Sequence, residues 1–218
     1  MAFLQKTLLN LLMAFNKTYF DKLYARDETI DGDYNSKDHA GYLDSLFKLM
    51  GIHVKSIYDF GFGKGSLLKD VSKKLESVRS GGCDVSEYAY NRLILKPWAK
   101  GFNLSISEIH KLKIPKKPYD LGLCNSVLQY VPDKHLKASI STLAKSCKYV
   151  YLHVPTYEDY VILKKDLNFT DSYAIARKSK VYEKLLSEKF HFVSWGLLES
   201  KAFSKHSNSP FSDSIYRF

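Results

Sequence analysis

Apolar residues along this chain recur at two periods, and the switches between them mark out its elements. Tyr42, Leu43, Leu46, Phe47, Leu49 and Met50 share a helical face over His39 to Met50, and Gly51 stops that helix. Ser56 to Phe60 is a short apolar run of strand length, followed by a helix from Ser66 to about Leu75. Val78 to Cys83 predicts a weak second strand closing at Asp84, and Ser86 to about Leu95 a helix with Tyr88, Ala89, Leu93 and Ile94 inward, stopped by Pro97-Trp98. Gly101 to Ile106 alternates as a third strand and Tyr119 to Cys124 reads as a fourth. Asp133 to Ser146 is helical, and Lys148 to Val154 is a fifth strand broken by Pro155. Beyond a stretch without clear periodicity, Tyr157 to Ser179, come a helix over Lys178 to Lys189 and two strands, Phe190 to Leu198 and Phe211 to Phe218, joined by the polar loop Ser204 to Pro210. Strand and helix alternating at this spacing predict an α/β architecture: a parallel sheet covered on both faces, with the strand C-terminal ends along one ligand-binding edge.

The first predicted strand ends in Ile57-Tyr58-Asp59-Phe60-Gly61-Phe62-Gly63-Lys64-Gly65, three alternate glycines leading into a helix. Glycines so spaced let the chain turn without Cβ clashes and bring backbone N–H groups to a ligand at a helix N-terminus. Asp59 narrows the ligand. A pyrophosphate on this turn would be repelled by a carboxylate two residues before the first glycine, whereas a cofactor bearing an ammonium group would be attracted. Ser66 stands where a dinucleotide fingerprint wants its third glycine. The alternative that the glycines only make a tight strand-to-helix turn stays open. Asp84, in Gly82-Cys83-Asp84-Val85-Ser86, lies 19 positions beyond Gly65, where a carboxylate can accept hydrogen bonds from both ribose hydroxyls of a nucleoside. Its structural alternative is N-capping of the next helix, a role equally open to Ser86.

Over roughly Lys55 to Thr156 these residues resemble the class I S-adenosylmethionine-dependent methyltransferases, a Rossmann-like family. The resemblance implies a doubly wound, mostly parallel seven-stranded sheet with helices on both faces, completed by a terminal strand pair of which one strand is antiparallel. It implies S-adenosyl-L-methionine as cofactor. Asp59 would face the amino group, with Gly61, Phe62, Gly63 and Gly65 around the methionine part, Asp84 on the ribose and Val85 against adenine. In Ser105-Ile106-Ser107-Glu108-Ile109 the family's usual Asp is missing, so Ser107 and Glu108 share the contact to the adenine amino group. Glu108 reads equally as a solvated loop acid. Asn125 or Ser126 would touch the cofactor from Cys124-Asn125-Ser126-Val127-Leu128-Gln129-Tyr130-Val131-Pro132-Asp133, where Leu128 and Val131 would pack and Asp133 caps the next helix. Tyr157 to Ser179 would be an insertion near the substrate.

Methyl transfer from a sulfonium is an in-line displacement that asks chiefly for approach, alignment and exclusion of water. Where an acceptor must lose a proton, His153, beside Pro155 at the end of the fifth strand, is the best placed base, although a lone histidine there serves structure as readily. Tyr130, Tyr157 and Tyr160 are positioned to line an acceptor pocket, and Tyr19, Tyr24 and Tyr34 to form a lid. Core packing is the alternative for each.

Composition refines the picture. A chain of 218 residues, 45% apolar, suffices for one substantial core. The expected layout is an N-terminal helical lid or extension over residues 1–50 and a methyltransferase domain over 51–218, as one compact unit. No apolar run approaches the roughly 18 residues of a membrane span. Met1 to Phe15 is interrupted by Gln5, Lys6 and Asn10, and has neither a basic leader nor a cleavage pattern. Leu4, Leu8, Leu11, Leu12 and Phe15 give it a helical face to pack on the domain, with a membrane-surface helix as the alternative because Leu9 and Met13 widen the apolar side. Cys83, Cys124 and Cys147 are too few and scattered for a disulfide framework or zinc site, so the expected compartment is the cytoplasm.

The net charge of +10 raises RNA as a substrate, yet it comes from 28 Lys and only 5 Arg spread over many segments. Asn125-Ser126-Val127 lacks the paired prolines and aromatic residue of enzymes that methylate a flipped base amine. Cys124 has no preceding proline and reads as core rather than as the nucleophile of pyrimidine carbon methylation. No metal-ligand spacing stands out. The expectation is a methyltransferase acting on a small-molecule substrate, with RNA second and a non-catalytic partner subunit of the same fold third. A nicotinamide oxidoreductase is disfavoured by Asp59 and Ser66.

Overall fold

The computed structural model describes residues 15–23, 31–167 and 171–204. The expected helix face at Leu4 to Leu12, Tyr24 and the strand Phe211 to Phe218 lie outside these residues. Seven strands form one mixed sheet in the order β3-β2-β1-β4-β5-β7-β6. The chain divides into two compact units, residues 1–108 and 109–218.

The first unit holds α1 (Lys17–Leu23), α2 (Ser36–Leu49), β1 (Ser56–Phe60), α3 (Ser66–Lys74), β2 (Arg79–Asp84), α4 (Glu87–Leu93) and β3 (Asn103–Ile106). All five residues of β1 are buried, the polar Ser56 and Asp59 among them, so the strand is covered on both faces and its apolar residues do not simply alternate. β1 pairs parallel with β2, and β2 parallel with β3. Leu43 and Phe47 of α2 and Leu68 and Val71 of α3 are fully buried where the two helices pack, and Ser36 Oγ donates to Asp70 Oδ2 at 2.6 Å across them. Gly81 and Gly82 sit in the middle of β2. A Cβ on Gly81 would come within 2.5 Å of the Asn103 carbonyl oxygen, and one on Gly82 within 2.8 Å of the Asp59 carbonyl oxygen. The strand is weak by propensity because its neighbours approach too closely for side chains.

The second unit holds β4 (Tyr119–Asn125), α5 (Asp133–Ser146), β5 (Cys147–His153), α6 (Tyr157–Leu167), α7 (Ser179–Ser187), β6 (Phe190–Ser194) and β7 (Leu197–Ser200). β4 and β5 are parallel, and β7 runs antiparallel to both β5 and β6. Two expectations are corrected here. Phe190 to Leu198 is two strands, because Trp195-Gly196 turns the chain with Gly196 at φ +67°, a left-handed conformation open to glycine. The antiparallel strand therefore comes from this hairpin. Tyr157 to Ser179 contains helix α6, opened by reciprocal capping: Asp159 Oδ2 accepts from the Thr156 N–H at 2.7 Å, and Thr156 Oγ1 accepts from the Asp159 N–H at 3.4 Å. The helix escapes a periodicity search because Tyr157, Val161 and Ile162 are all about half exposed, which leaves no one-sided apolar face. Among the described residues no helix is long and apolar enough to cross a membrane.

Candidate functional site

In the first unit the parallel register places Asp59 beside Gly82. Side chains alternate along a strand, so Asp84, two residues after Gly82, projects from the same face as Asp59. Gly82 carries no side chain between them because the Asp59 backbone and the Phe62 ring already approach within 2.8 and 3.0 Å of where its Cβ would stand. Asp59 is 3% exposed and Asp84 8%, and burial raises both above the usual aspartate range. For Asp59 the Asp84 charge adds to burial, whereas for Asp84 backbone N–H groups of Ser86, Gly63 and Val85 oppose it. Among the described residues no donor reaches the Asp59 side chain, whereas Asp84 accepts from the Gly63 N–H and the Ser86 N–H, each at 2.8 Å.

The loop between them is held by backbone geometry. Gly61 N–H donates to the Cys83 carbonyl at 2.7 Å, and Gly61, Gly63 and Gly65 have φ of +92°, +51° and +80°. Gly65 is the left-handed N-cap of α3, and a Cβ there would lie 2.6 Å from Leu93 Cδ1 and 3.1 Å from Trp98. Gly65→Ala is expected to lower the unfolding free energy by about 2–3 kcal/mol in urea titrations, since it combines positive-φ strain with overpacking of a buried leucine. Phe62 is buried beside Gly82, while Val85 is half-buried. The N-cap of α4 is Ser86, whose Oγ accepts from the Ala89 N–H at 3.1 Å, which leaves Asp84 out of the capping role. Ser107 N–H donates to the Asp84 carbonyl at 2.9 Å, so the end of β3 lies beside that of β2, and Ser107 and Glu108 are both half-buried. Cys83 is buried, and burial with the two nearby carboxylates pushes its thiol upward, away from thiolate chemistry.

Asp33 is a residue the sequence reading missed. Its carboxylate accepts from Ser66 Oγ and pairs with Lys64 Nζ at 2.9 Å, tying the turn before α2 to the glycine loop. The turn is itself braced: Asn35 Nδ2 donates to Asp31 Oδ1 at 2.8 Å and His39 Nε2 lies 2.9 Å from the same oxygen. The signal was the Asp31-Gly32-Asp33-Tyr34-Asn35 turn composition. Of the expected lid tyrosines, Tyr19 packs edge-on to Phe15 at 4.8 Å, and Tyr34 is exposed.

In the second unit Asn125 and His153 are register partners at the ends of β4 and β5, and the Ser126 N–H donates to the His153 carbonyl at 2.8 Å. Ser126 has φ +54°, an uncommon conformation for a non-glycine residue and one that collects at functional turns. The His153 ring packs on Tyr151 at 4.8 Å and Trp195 at 4.3 Å, with its Nε2 against Gly196. Tyr130 donates its hydroxyl to Asp171 Oδ2 at 2.6 Å, and Tyr157 opens α6 half exposed.

Asp133 is the first residue of α5 rather than its cap, and Arg177 decides its role. The guanidinium, 6% exposed, contacts Asp133 Oδ1 at 2.7 Å and donates to the carbonyls of Leu128 at 3.1 Å and Val131 at 2.6 Å. It thereby fixes the loop after β4. The lone Arg in an aperiodic stretch gave no such indication. Arg177→Leu is expected to cost about 3 kcal/mol in urea unfolding, because two carbonyls and one acid lose a buried partner. Gln129 in that loop is buried, with Oε1 lacking a partner among the described residues.

No family model and no curated protein matches the chain in sequence. Solved structures do match in fold. The magnesium protoporphyrin IX methyltransferase ChlM from Synechocystis PCC 6803 with bound SAH is 20% identical over 89% of this chain and 98% of that chain, with a TM-score of 0.59. The plantazolicin methyltransferase BpumL in complex with SAH is 16% identical over 84% and 77%, TM-score 0.63. An S-adenosylmethionine-dependent methyltransferase from Clostridium acetobutylicum ATCC 824 is 15% identical over 78% and 84%, TM-score 0.59. With the strand order and the antiparallel β7, these likenesses establish that the chain has the class I S-adenosylmethionine-dependent methyltransferase fold.

Proposed function

We propose that this protein is an S-adenosylmethionine-dependent methyltransferase whose acceptor is a small molecule. The observation that carries the reading is the Asp59 and Asp84 pair: two buried carboxylates on one face of adjoining parallel strands, astride a three-glycine turn. A buried acid without a donor is costly unless a cation or hydrogen-bond donor arrives, so the site fits a ligand with an ammonium group. Asp59 then holds the amino group of S-adenosylmethionine, and Asp84 accepts from the ribose hydroxyls with the lone pairs its backbone partners leave free. Gly61, Phe62, Gly63 and Gly65 line the methionine part, Val85 the adenine face, and Ser107 or Glu108 the adenine amino group. Asn125 contributes from the end of β4.

When bound, the cofactor supplies an electrophilic methyl group on sulfur. The side chains of this protein position the acceptor and keep water away. Tyr130, held by Asp171, and Tyr157 are the acceptor-contacting residues in this proposal. For an acceptor that must lose a proton, His153 at the end of β5 is the base. A small-molecule acceptor is supported by the compared enzymes, which are named for plantazolicin and magnesium protoporphyrin IX. RNA is the second reading, favoured by the net charge of +10.

The test is transfer of a labelled methyl group from S-adenosylmethionine into metabolite and RNA pools, run beside an Asp84→Ala control. Label appearing in a small-molecule fraction with the native protein alone supports the proposal. Label confined to RNA replaces the acceptor class, and no label in any fraction refutes turnover.

A further inference from the structure

We propose that the first unit carries a second ligand site, a cationic and aromatic pocket that binds the phosphate and base of a nucleotide. The pocket opens beside the glycine loop with a volume of about 250 Å³. Lys69 of α3, Arg92 of α4 and Lys96 stand around it, and none of them has a carboxylate partner among the described residues. Lys64 also lines it but is already occupied by Asp33 at 2.9 Å. No acidic side chain belongs to the described lining, in a unit where acids otherwise neutralise lysines, as Asp44 does for Lys48 at 2.8 Å. Three like charges around one concavity repel each other, and an anion of more than one charge relieves that repulsion.

The walls supply the other half of the recognition. Phe20, Tyr88 and Trp98 line the same space. Phe20 packs on Tyr88 with ring centroids 5.5 Å apart, and Arg92 donates to the Tyr88 hydroxyl at 3.1 Å with its guanidinium 5.5 Å from that ring. The half-buried Trp98 offers a flat apolar surface, and a base has a π-face to lay on it. Anion and aromatic ring together describe a nucleotide rather than inorganic phosphate or a bare nucleoside. The pocket is distinct from the Asp59 and Asp84 pair: neither acid lines it, and their negative charge would repel the ligand it selects. The two sites share only Gly63, whose N–H faces Asp84. The inference therefore stands independently of the proposed methyl transfer. A free nucleotide and the 5′ end of an RNA strand present the same chemistry to this pocket.

The experiment is titration of the full chain with adenosine monophosphate, adenosine, inorganic phosphate and a 5′-phosphorylated tetraribonucleotide, followed by calorimetry and by tryptophan emission. The monophosphate is expected to bind at least about tenfold more tightly than adenosine, with that advantage falling as salt rises. Lys69→Glu combined with Lys96→Glu, both exposed positions, is expected to erase the advantage while leaving S-adenosylhomocysteine binding unchanged. Trp98→Leu is expected to abolish the emission change and weaken monophosphate and adenosine alike. A tetranucleotide affinity within about threefold of the monophosphate identifies a free nucleotide as the source, and a much tighter one with a steeper salt slope identifies an RNA end. Equal binding of monophosphate and adenosine, or an advantage that survives the double charge reversal, overturns the proposal. S-adenosylhomocysteine titration in the same proteins reads the cofactor site separately, so failure of one site is distinguishable from failure of the other.

Discussion

Asp84→Ala is expected to weaken S-adenosylhomocysteine binding by about 100-fold or more in calorimetry. Two ribose hydroxyls donating to a buried carboxylate contribute roughly 1.5–3 kcal/mol each, and about 1.4 kcal/mol corresponds to a tenfold change in affinity. The substitution also removes the acceptor for the Gly63 and Ser86 N–H groups, so the loop loses its fixed shape at the same stroke. Asp84→Asn separates the two contributions. An amide retains one oxygen for the backbone and loses the charge, so its affinity is expected to fall between those of the native and alanine proteins. Binding within threefold of native in the alanine variant would remove Asp84 from the cofactor site.

Asp59→Asn is expected to move stability and binding in opposite directions. An aspartate titrates near 3.9 in an unfolded chain, and burial with the Asp84 charge holds Asp59 well above that in the folded state. Between those two values the folded protein binds more protons than the unfolded one, so the unfolding free energy falls as pH rises through the window. Stability is greatest below the unfolded value and is lost as pH climbs through the raised native one, the reverse of a salt-bridged carboxylate. Replacing the acid by its uncharged isostere should stabilise the ligand-free protein at neutral pH by about 2 kcal/mol, roughly 4–8 °C in Tm for a chain of this size. The same change should flatten the dependence of Tm on pH and weaken S-adenosylhomocysteine binding at least about tenfold, since a charge-assisted contact is lost. Binding of the ammonium-bearing ligand to native protein should release protons in the lower part of the window, read from calorimetry in buffers of different ionisation enthalpy. A variant that is less stable than native and binds as tightly would show that Asp59 is a structural acid.

The strand-turn-helix around Gly61 to Gly65 was legible because its constraints are local. A positive φ at alternate positions favours glycine, and a strand buried on both faces draws on apolar residues such as Ile57, Tyr58 and Phe60. Helices α2, α3 and α5 were legible for a similar reason, since each buries one face and its apolar residues repeat accordingly. Helix α6 was not, because its residues are largely exposed and its start is set by the capping pair Thr156 and Asp159 rather than by a hydrophobic period. The hairpin at Trp195-Gly196 was hidden inside an apolar run, where one glycine is a weaker mark than two strands of alternation.

From the sequence alone came the α/β alternation, the glycine turn and the two acids that end their strands, all written in residues within a few positions of one another. Tertiary structure alone decided that Asp59 and Asp84 project from one face, that Asp33 anchors the loop from 31 residues before Lys64, and that Arg177 pins the turn after β4. Those relations depend on register and on which backbone carbonyls are left over once the strands have paired. No window of sequence contains that information, because hydrogen-bond partners distant along the chain are chosen only when the sheet has assembled.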